Sequence, residues 1–268
     1  MDILKRNLAP LTGEAWTEIE EQAKKTLTGN LSARGVVDFD GPHGWELASI
    51  NLGRVVFDKT GVIDGVLFGA RKVQPLIEVK VPFSLSMDEM DAISRGLRDP
   101  DLEPVEIAAQ KAAHFEEKAI WNGFRKGGIM GIFESAALKP VTLKKDPGGF
   151  PAAVEQAVVA IQKTGIGGPY NMVLGTEPYQ RLMQGDEKGF PLVNRIKGIL
   201  EGEILWSPAI KGGVILSSRG GDYILTLGQD FSIGYASHNA DKINLYIMES
   251  FTFQVLEPRA AVELKTAK

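Results

Sequence analysis

The chain has 268 residues, 44% hydrophobic and 24% charged, a globular composition with ample apolar material for a core. Its 30 basic and 34 acidic residues leave a net charge of −4, which offers no basic surface for nucleic acid. There is no cysteine, which excludes disulfides and thiolate metal sites and fits a cytosolic protein, and no apolar run reaches the length of a membrane span.

In chain order, Met1–Leu11 reads as an extended arm that ends at Pro10; it lacks the apolar core and cleavage site of a signal peptide. Thr12 is placed to cap a helix, with Glu14 in the first turn. Trp16, Ile19, Ala23 and Leu27 recur every three or four residues and give that helix one apolar face, with Gly29-Asn30 as its stop. Val36–Asp40 reads as a short strand, followed by a turn at Gly41-Pro42-His43-Gly44 and an anchor at Trp45. Leu52–Phe57 and Val62–Phe68 flank Asp58-Lys59-Thr60-Gly61, a pattern that predicts a β-hairpin. Leu76–Leu85 is another strand, and Pro82 puts it at an edge or a bulge.

Asp88–Arg98 reads as a short helix, and Glu103–Lys126 as the longest one. Its stripe of Ala108, Ala112, Phe115 and Ala119 allows close packing, and Gly127-Gly128 is its expected end. Lys139–Phe150 reads as a loop and a domain boundary. Beyond it helices at 153–163, 177–183 and 192–200 alternate with strands at 171–175, 204–206 and 214–217. The polar segment Gln184–Gly189 lies between two of those helices. Strands dominate after 219: Tyr223–Leu227, a turn at Gly228-Gln229-Asp230, then Phe231–Tyr235. Ile243, Leu245, Ile247, Phe251, Phe253 and Val255 alternate with polar neighbours, the pattern of a half-buried strand. Glu249 is the one charge on that apolar side. The fold class is mixed α+β.

Side chains that could carry chemistry are few. His43, His114 and His238 have no ligand spacing among them. His114 and Glu117, in HFEEK, share a helix face three residues apart, but a di-iron bundle needs such motifs from several helices, so the segment reads as a solvated helix face. GIGGP, KGG and RGGD lack phosphate-loop spacing, and no Gly-x-Ser-x-Gly elbow is present. Asp38 and Asp40 point to one side of a strand with no base beside them and read as structural; the four tryptophans read as core or interface anchors. The residues alone describe an α+β protein with no catalytic residues, no metal site and no cofactor.

GQDFSIGY followed by ESFTFQV resembles the C-terminal signature of the encapsulins, shell proteins also known under the linocin name. LKRNLAPLTGEAWTEIE, VVDFDGPHGWE, RKVQPLIEVKVPFSL, GIGGPYNMVLGTEPY and RGGDY agree in order, from Leu4 to about Glu257. The resemblance implies an HK97-type capsid fold, with a peripheral domain at 1–134 and 221–268, an axial domain at 135–220 and an extended hairpin loop at about 50–75. It implies a non-enzymatic protein whose main partner is itself, in an icosahedral cytoplasmic shell of the smaller class, binding neither nucleic acid nor membrane. It further implies a cargo enzyme, a ferritin-like protein or a dye-decolourising peroxidase, so that iron storage or oxidative-stress chemistry belongs to the cargo. The cargo's C-terminal targeting peptide is expected on Arg34, Asp38, Phe231, Ser232, Ile233, Gly234 and Tyr235. Gln184, Gly185, Asp186, Glu187, Lys188 and Gly189 are expected to line the fivefold pore. The alternatives are a phage major capsid protein, which the early start of the first helix disfavours, and a bacteriocin or protease, for which no nucleophile arrangement exists.

Overall fold

The structure is a computed structural model that describes residues 3–57, 64–144, 146–187 and 189–267. After a single 3-10 turn at Arg6–Leu8, helix α1 spans Gly13–Asn30. Thr12 caps it as expected, its Oγ1 accepting from Ala15 N–H at 3.3 Å. A further 3-10 turn, Ala33–Gly35, leads into β1, Asp38–Asp40.

Strand β2, Ser49–Phe57, pairs with β3, Gly69–Pro75, and Ser49 stands opposite Pro75. The return strand is therefore 69–75, not 62–68 as the apolar run suggested. Asp64 and Gly65 both hold positive φ, which ends any strand through that run. The expected turn Asp58-Lys59-Thr60-Gly61 and Val62 lie outside the described residues. Strand β4, Ile77–Ser86, carries Pro82 at a sheet edge, where no N–H is needed. Helix α2, Met87–Ser94, follows.

Helix α3 is Glu103–Asn122, one turn shorter than the spacing predicts. Gly123 ends it at φ 86°, and a Cβ there would stand 2.8 Å from Gly131 N. The return of the chain through the short helix α4, Ile132–Ser135, thus decides the stop. The segment expected as a loop holds β5, Val141–Leu143. Helix α5 (Phe150–Gln162), β6 (Tyr170–Leu174), α6 (Thr176–Gln184), β7 (Asp186–Glu187), β8 (Phe190–Pro191), α7 (Leu192–Leu200), β9 (Ile204–Trp206) and β10 (Gly213–Ser217) follow close to the predicted order. Then come β11 (Tyr223–Leu227), β12 (Ser232–His238), β13 (Lys242–Val255) and β14 (Ala261–Thr266).

Two sheets result. β13 is the axis of the first: β4 pairs along one side, while β12 and then β11 pair along the other, and β1 extends β11. The second sheet runs β5-β14-β10-β6-β9. Its β14 is not among the predicted strands, although Val262 and Leu264 alternate with Glu263 and Lys265, and residues 261–266 join the second sheet.

β13 is not half-buried. Tyr246, Met248 and Thr252, on its polar side, are buried as well. Gln74 Nε2 in β3 bonds Thr252 Oγ1 at 2.9 Å, and Lys80 Nζ lies 3.5 Å from the Tyr246 ring centre, so the hairpin base and β4 cover that side. On the other side two cores meet. Ile243, Leu245 and Ile247 pack with α1, β4 and the first half of α3. Phe251 and Phe253 pack with Trp121 and the apolar residues of the second sheet and α5. Glu249 falls at the junction.

Candidate functional site

A groove of about 490 Å³ runs between α1, the N-terminal arm and the start of β12. Its floor is apolar, from Ala23 and Leu27 on α1, Leu31, Ile233 on β12 and Ile247 on β13. Helical periodicity turns Ala15, Ile19 and Ala23 into the core, and leaves Lys24, Leu27 and Thr28 toward the opening. The arm is pinned across one end. Arg6 Nη1 pairs with Glu20 Oε1 at 2.6 Å and its guanidinium lies 4.1 Å over the Trp16 ring. Tyr235 N–H donates to Leu4 O at 2.8 Å.

Arg34 lies at the other end and is mostly buried. Its Nε and Nη2 donate to both oxygens of Glu116, at 2.8 to 3.1 Å from Nε, and Nη2 also donates to Glu249 Oε1 at 2.7 Å. Nη1 pairs with Asp230 Oδ1 at 3.0 Å, and the guanidinium stacks 4.8 Å from the Phe231 ring. Burial alone would lower its pKa; the bond and charge of Glu116, then Glu249 and Asp230, outweigh that and hold it above the ordinary arginine range. Arg34 thus stays charged and is committed to carboxylates of its own chain.

The expected binding residues divide. Arg34, Phe231, Ser232 and Ile233 line the groove. Ile233 is only 6% exposed, so it is both a core residue and part of the groove floor. Gly234 is required beneath the Tyr246 ring, because a Cβ there would stand 2.3 Å from it. Tyr235 turns away, its hydroxyl 2.6 Å from His238 Nδ1. Asp38 lies elsewhere: its Oδ2 accepts from Gly221 N–H at 2.6 Å, beside a separate small pocket near Tyr223. Asp40 bonds His43 Nε2 at 2.7 Å.

Two readings of HFEEK change. Glu116 and Glu117 are both fully buried, not solvated, while His114 is exposed. Glu117 accepts from Ser32 Oγ, Ala33 N–H, Trp121 Nε1 and Ser207 Oγ, at 2.5 to 3.0 Å. Burial raises its pKa, and those four donors partly pull it back. Among the described residues no group of acidic or imidazole side chains could hold a metal ion.

Gln184 ends α6, and Gly185 O accepts from Leu192 N–H at 3.1 Å, which closes the base of the predicted pore segment. Asp186 and Glu187 pair with Pro191 and Phe190 in a short hairpin. Gly189 takes φ 84°, and Lys188 lies outside the described residues. Phe190, which the sequence did not single out, is 77% exposed beside it. Sequence reasoning also missed Glu116 and Asp230; the lone charge on the apolar side of β13 was the available signal for Glu249.

A long helix backing a sheet, a second helix-covered sheet and a projecting two-stranded arm make up the fold of HK97-type capsid proteins. The fold matches a virus-like particle from Pyrococcus furiosus at TM-score 0.68 and 17% identity, over 92% of this chain and 97% of that one. It matches the capsid of Myoviridae phage XM1 at TM-score 0.56 and 9% identity, over 89% and 92%. Residues 1–252 match the Linocin_M18 family, described as an encapsulating protein for peroxidase. The type 1 encapsulin shell protein of Rhodospirillum rubrum is 44% identical over 99% of this chain and 97% of its own length. The chain belongs to the type 1 encapsulin shell proteins. It is a structural protein of a capsid-like multimer, not an enzyme.

Proposed function

We propose that this chain closes into an icosahedral shell around a cargo protein, and that the groove between α1 and β12 receives an extended C-terminal peptide of that cargo. One observation carries the reading: an apolar floor lies beside a free length of strand edge. Tyr235 N–H points away from β13, to Leu4 O. Alternation along an antiparallel strand turns the N–H and C=O of Ile233 to that same outer edge, next to the groove. An extended peptide can add its backbone there and set apolar side chains against Leu27, Leu31 and Ile247. Ordering a free tail makes a single docking weak, and several tails on a multimeric cargo compensate by avidity.

The family's description favours a peroxidase as cargo, and a ferritin-like protein is the other candidate. Iron storage or protection from oxidative stress would then be the cargo's chemistry, in a cytoplasmic compartment. No helix among the described residues is long and apolar enough to cross a membrane. Residues 1–134 and 221–268 form the peripheral domain of this reading and 135–220 the axial one, with β14 crossing into the axial sheet. The β2–β3 arm exposes Val55, Val56, Phe57, Leu67 and Phe68, an apolar surface suited to a neighbouring subunit. The Gln184–Gly189 segment lines the fivefold opening. Leu27→Glu tests the groove: shells seen by negative-stain microscopy should form and come out empty when cargo is co-expressed. Full loading of intact Leu27→Glu shells would sink the reading.

A further inference from the structure

Glu249 and Glu116 occupy equivalent places in the molecule, each at the seam between the two cores. On β13 Glu249 separates Ile247 from Phe251; on α3 Glu116 separates Ala112 from Ala119. Both carboxylates are fully or almost fully buried, and one guanidinium, that of Arg34, stands between them. Both Glu116 oxygens and Glu249 Oε1 are bonded to Arg34, while Glu249 Oε2 is buried with no hydrogen-bond partner. The same guanidinium reaches outward to Asp230, which is 43% exposed at the groove rim. Two carboxylates this deep cannot both ionise cheaply against one cation.

We propose that the groove is gated by a proton: Glu249 is held as the neutral acid beside Glu116, and its ionisation draws Arg34 inward from Asp230 and loosens the β12 wall. The surrounding groups leave this role to Glu249. Glu117, next on α3, faces Ser32, Ala33, Trp121 and Ser207. On β4 the residue opposite Glu249 is Val79; Glu78 and Lys80 alternate to the other face, where Lys80 covers Tyr246. Burial, then the nearby charge of Glu116, push the Glu249 carboxyl well above its ordinary range, and Arg34 opposes them only in part. The sign follows. The order that the bound proton gives the wall is complete below the ordinary carboxylate range and is lost as pH rises through the raised value. For docking, which rests on the peptide-groove reading, this means a grip that weakens as pH rises.

Hydrogen exchange on the assembled, empty shell tests the gate without any peptide. After correction for the chemical rate, protection of the Ser232 and Gly234 amides, which face β13, and of Tyr235 N–H, which bonds Leu4 O, should fall with pH by up to about tenfold per pH unit, the limit for one linked proton. Glu249→Gln carries no titrating proton and should abolish that dependence. Glu116→Gln leaves Glu249 as the one buried carboxyl on Arg34 and should abolish it too, which covers the case in which Glu249→Gln fails to assemble. Flat protection in the wild type, or a pH dependence that survives in both variants, overturns the gate. A fluorescent synthetic copy of the cargo's C-terminal peptide supplies the second arm. Affinity that falls with pH in the wild type and not in Glu249→Gln supports gated docking. A responsive wall with no peptide bound at any pH overturns the groove as the cargo site and leaves the gate standing; pH-independent binding with a flat wall overturns the gate alone.

Discussion

Glu116 and Glu117 are neighbours on α3, equally buried, and kept in place by opposite means. Glu117 is held by four neutral donors from the Ala33 turn, from its own helix and from the loop at Ser207. That cage is complete within itself and ties α1's exit to the second sheet. Glu116 is held by a cation that two other carboxylates share. One of those lies at the rim of the groove, so the balance of charge at Glu116 is linked to the surface. Hydrogen-bond donors fix a buried charge where it is; a shared cation connects it to whatever else the cation touches.

Removing the cation should be the most damaging change. Arg34→Ala removes the guanidinium that bonds both buried carboxyls, Glu116 and Glu249, and should cost about 4 kcal/mol, read as a drop in the thermal unfolding midpoint. Replacing Arg34, Glu116 and Glu249 together by Met, Leu and Leu should restore most of that loss, because no buried charge then remains. If the triple variant is no better than Arg34→Ala, the cluster is held by packing and the contrast with Glu117 fails.

Glu117→Ala comes next, at about 3 kcal/mol, since the buried Ala33 N–H and Trp121 Nε1–H lose their acceptor. Glu117→Gln keeps one acceptor oxygen and should cost less than half as much. A Glu117→Gln variant as unstable as Glu117→Ala would show that the charge, not the set of acceptors, matters there.

The smallest effect is on the acid side. Glu257 caps the 3-10 turn at Pro258–Ala260 and pairs with Arg259 Nη2 at 2.6 Å. The side-chain and backbone hydrogen bonds of Arg259 lower its pKa to about 2. Its contribution is therefore whole above the ordinary carboxylate range and lost as pH falls toward about 2, the reverse of Glu249. Glu257→Gln should flatten the acid limb of a stability profile slightly and leave the part that Glu249 governs unchanged.

Most elements were legible because their signals are local. Thr12 and the 3.6-residue period drew α1, and Leu192–Leu200 was read at its observed bounds. The misses share a cause. α3 stops at Gly123 because of a chain segment that returns from Gly131, and β14 pairs with β5 and β10 across more than 40 residues of chain. The Glu116 and Glu117 side chains read as solvated because a lone segment cannot show what lies over it. Asp38 falls outside the groove although it is only four residues from Arg34, because the chain turns through Ala33–Gly35 between them.

By itself, then, the sequence determined the succession of helices and strands, the family, the absence of cysteine chemistry and the presence of one anomalous charge on the apolar side of β13. Tertiary structure alone decided that this charge meets Glu116 and Arg34, residues that are 133 and 215 positions away in the chain. Periodicity reports which side of an element faces inward. It carries no information about which other charge is already there, and the ionisation of a buried group is set by that neighbour.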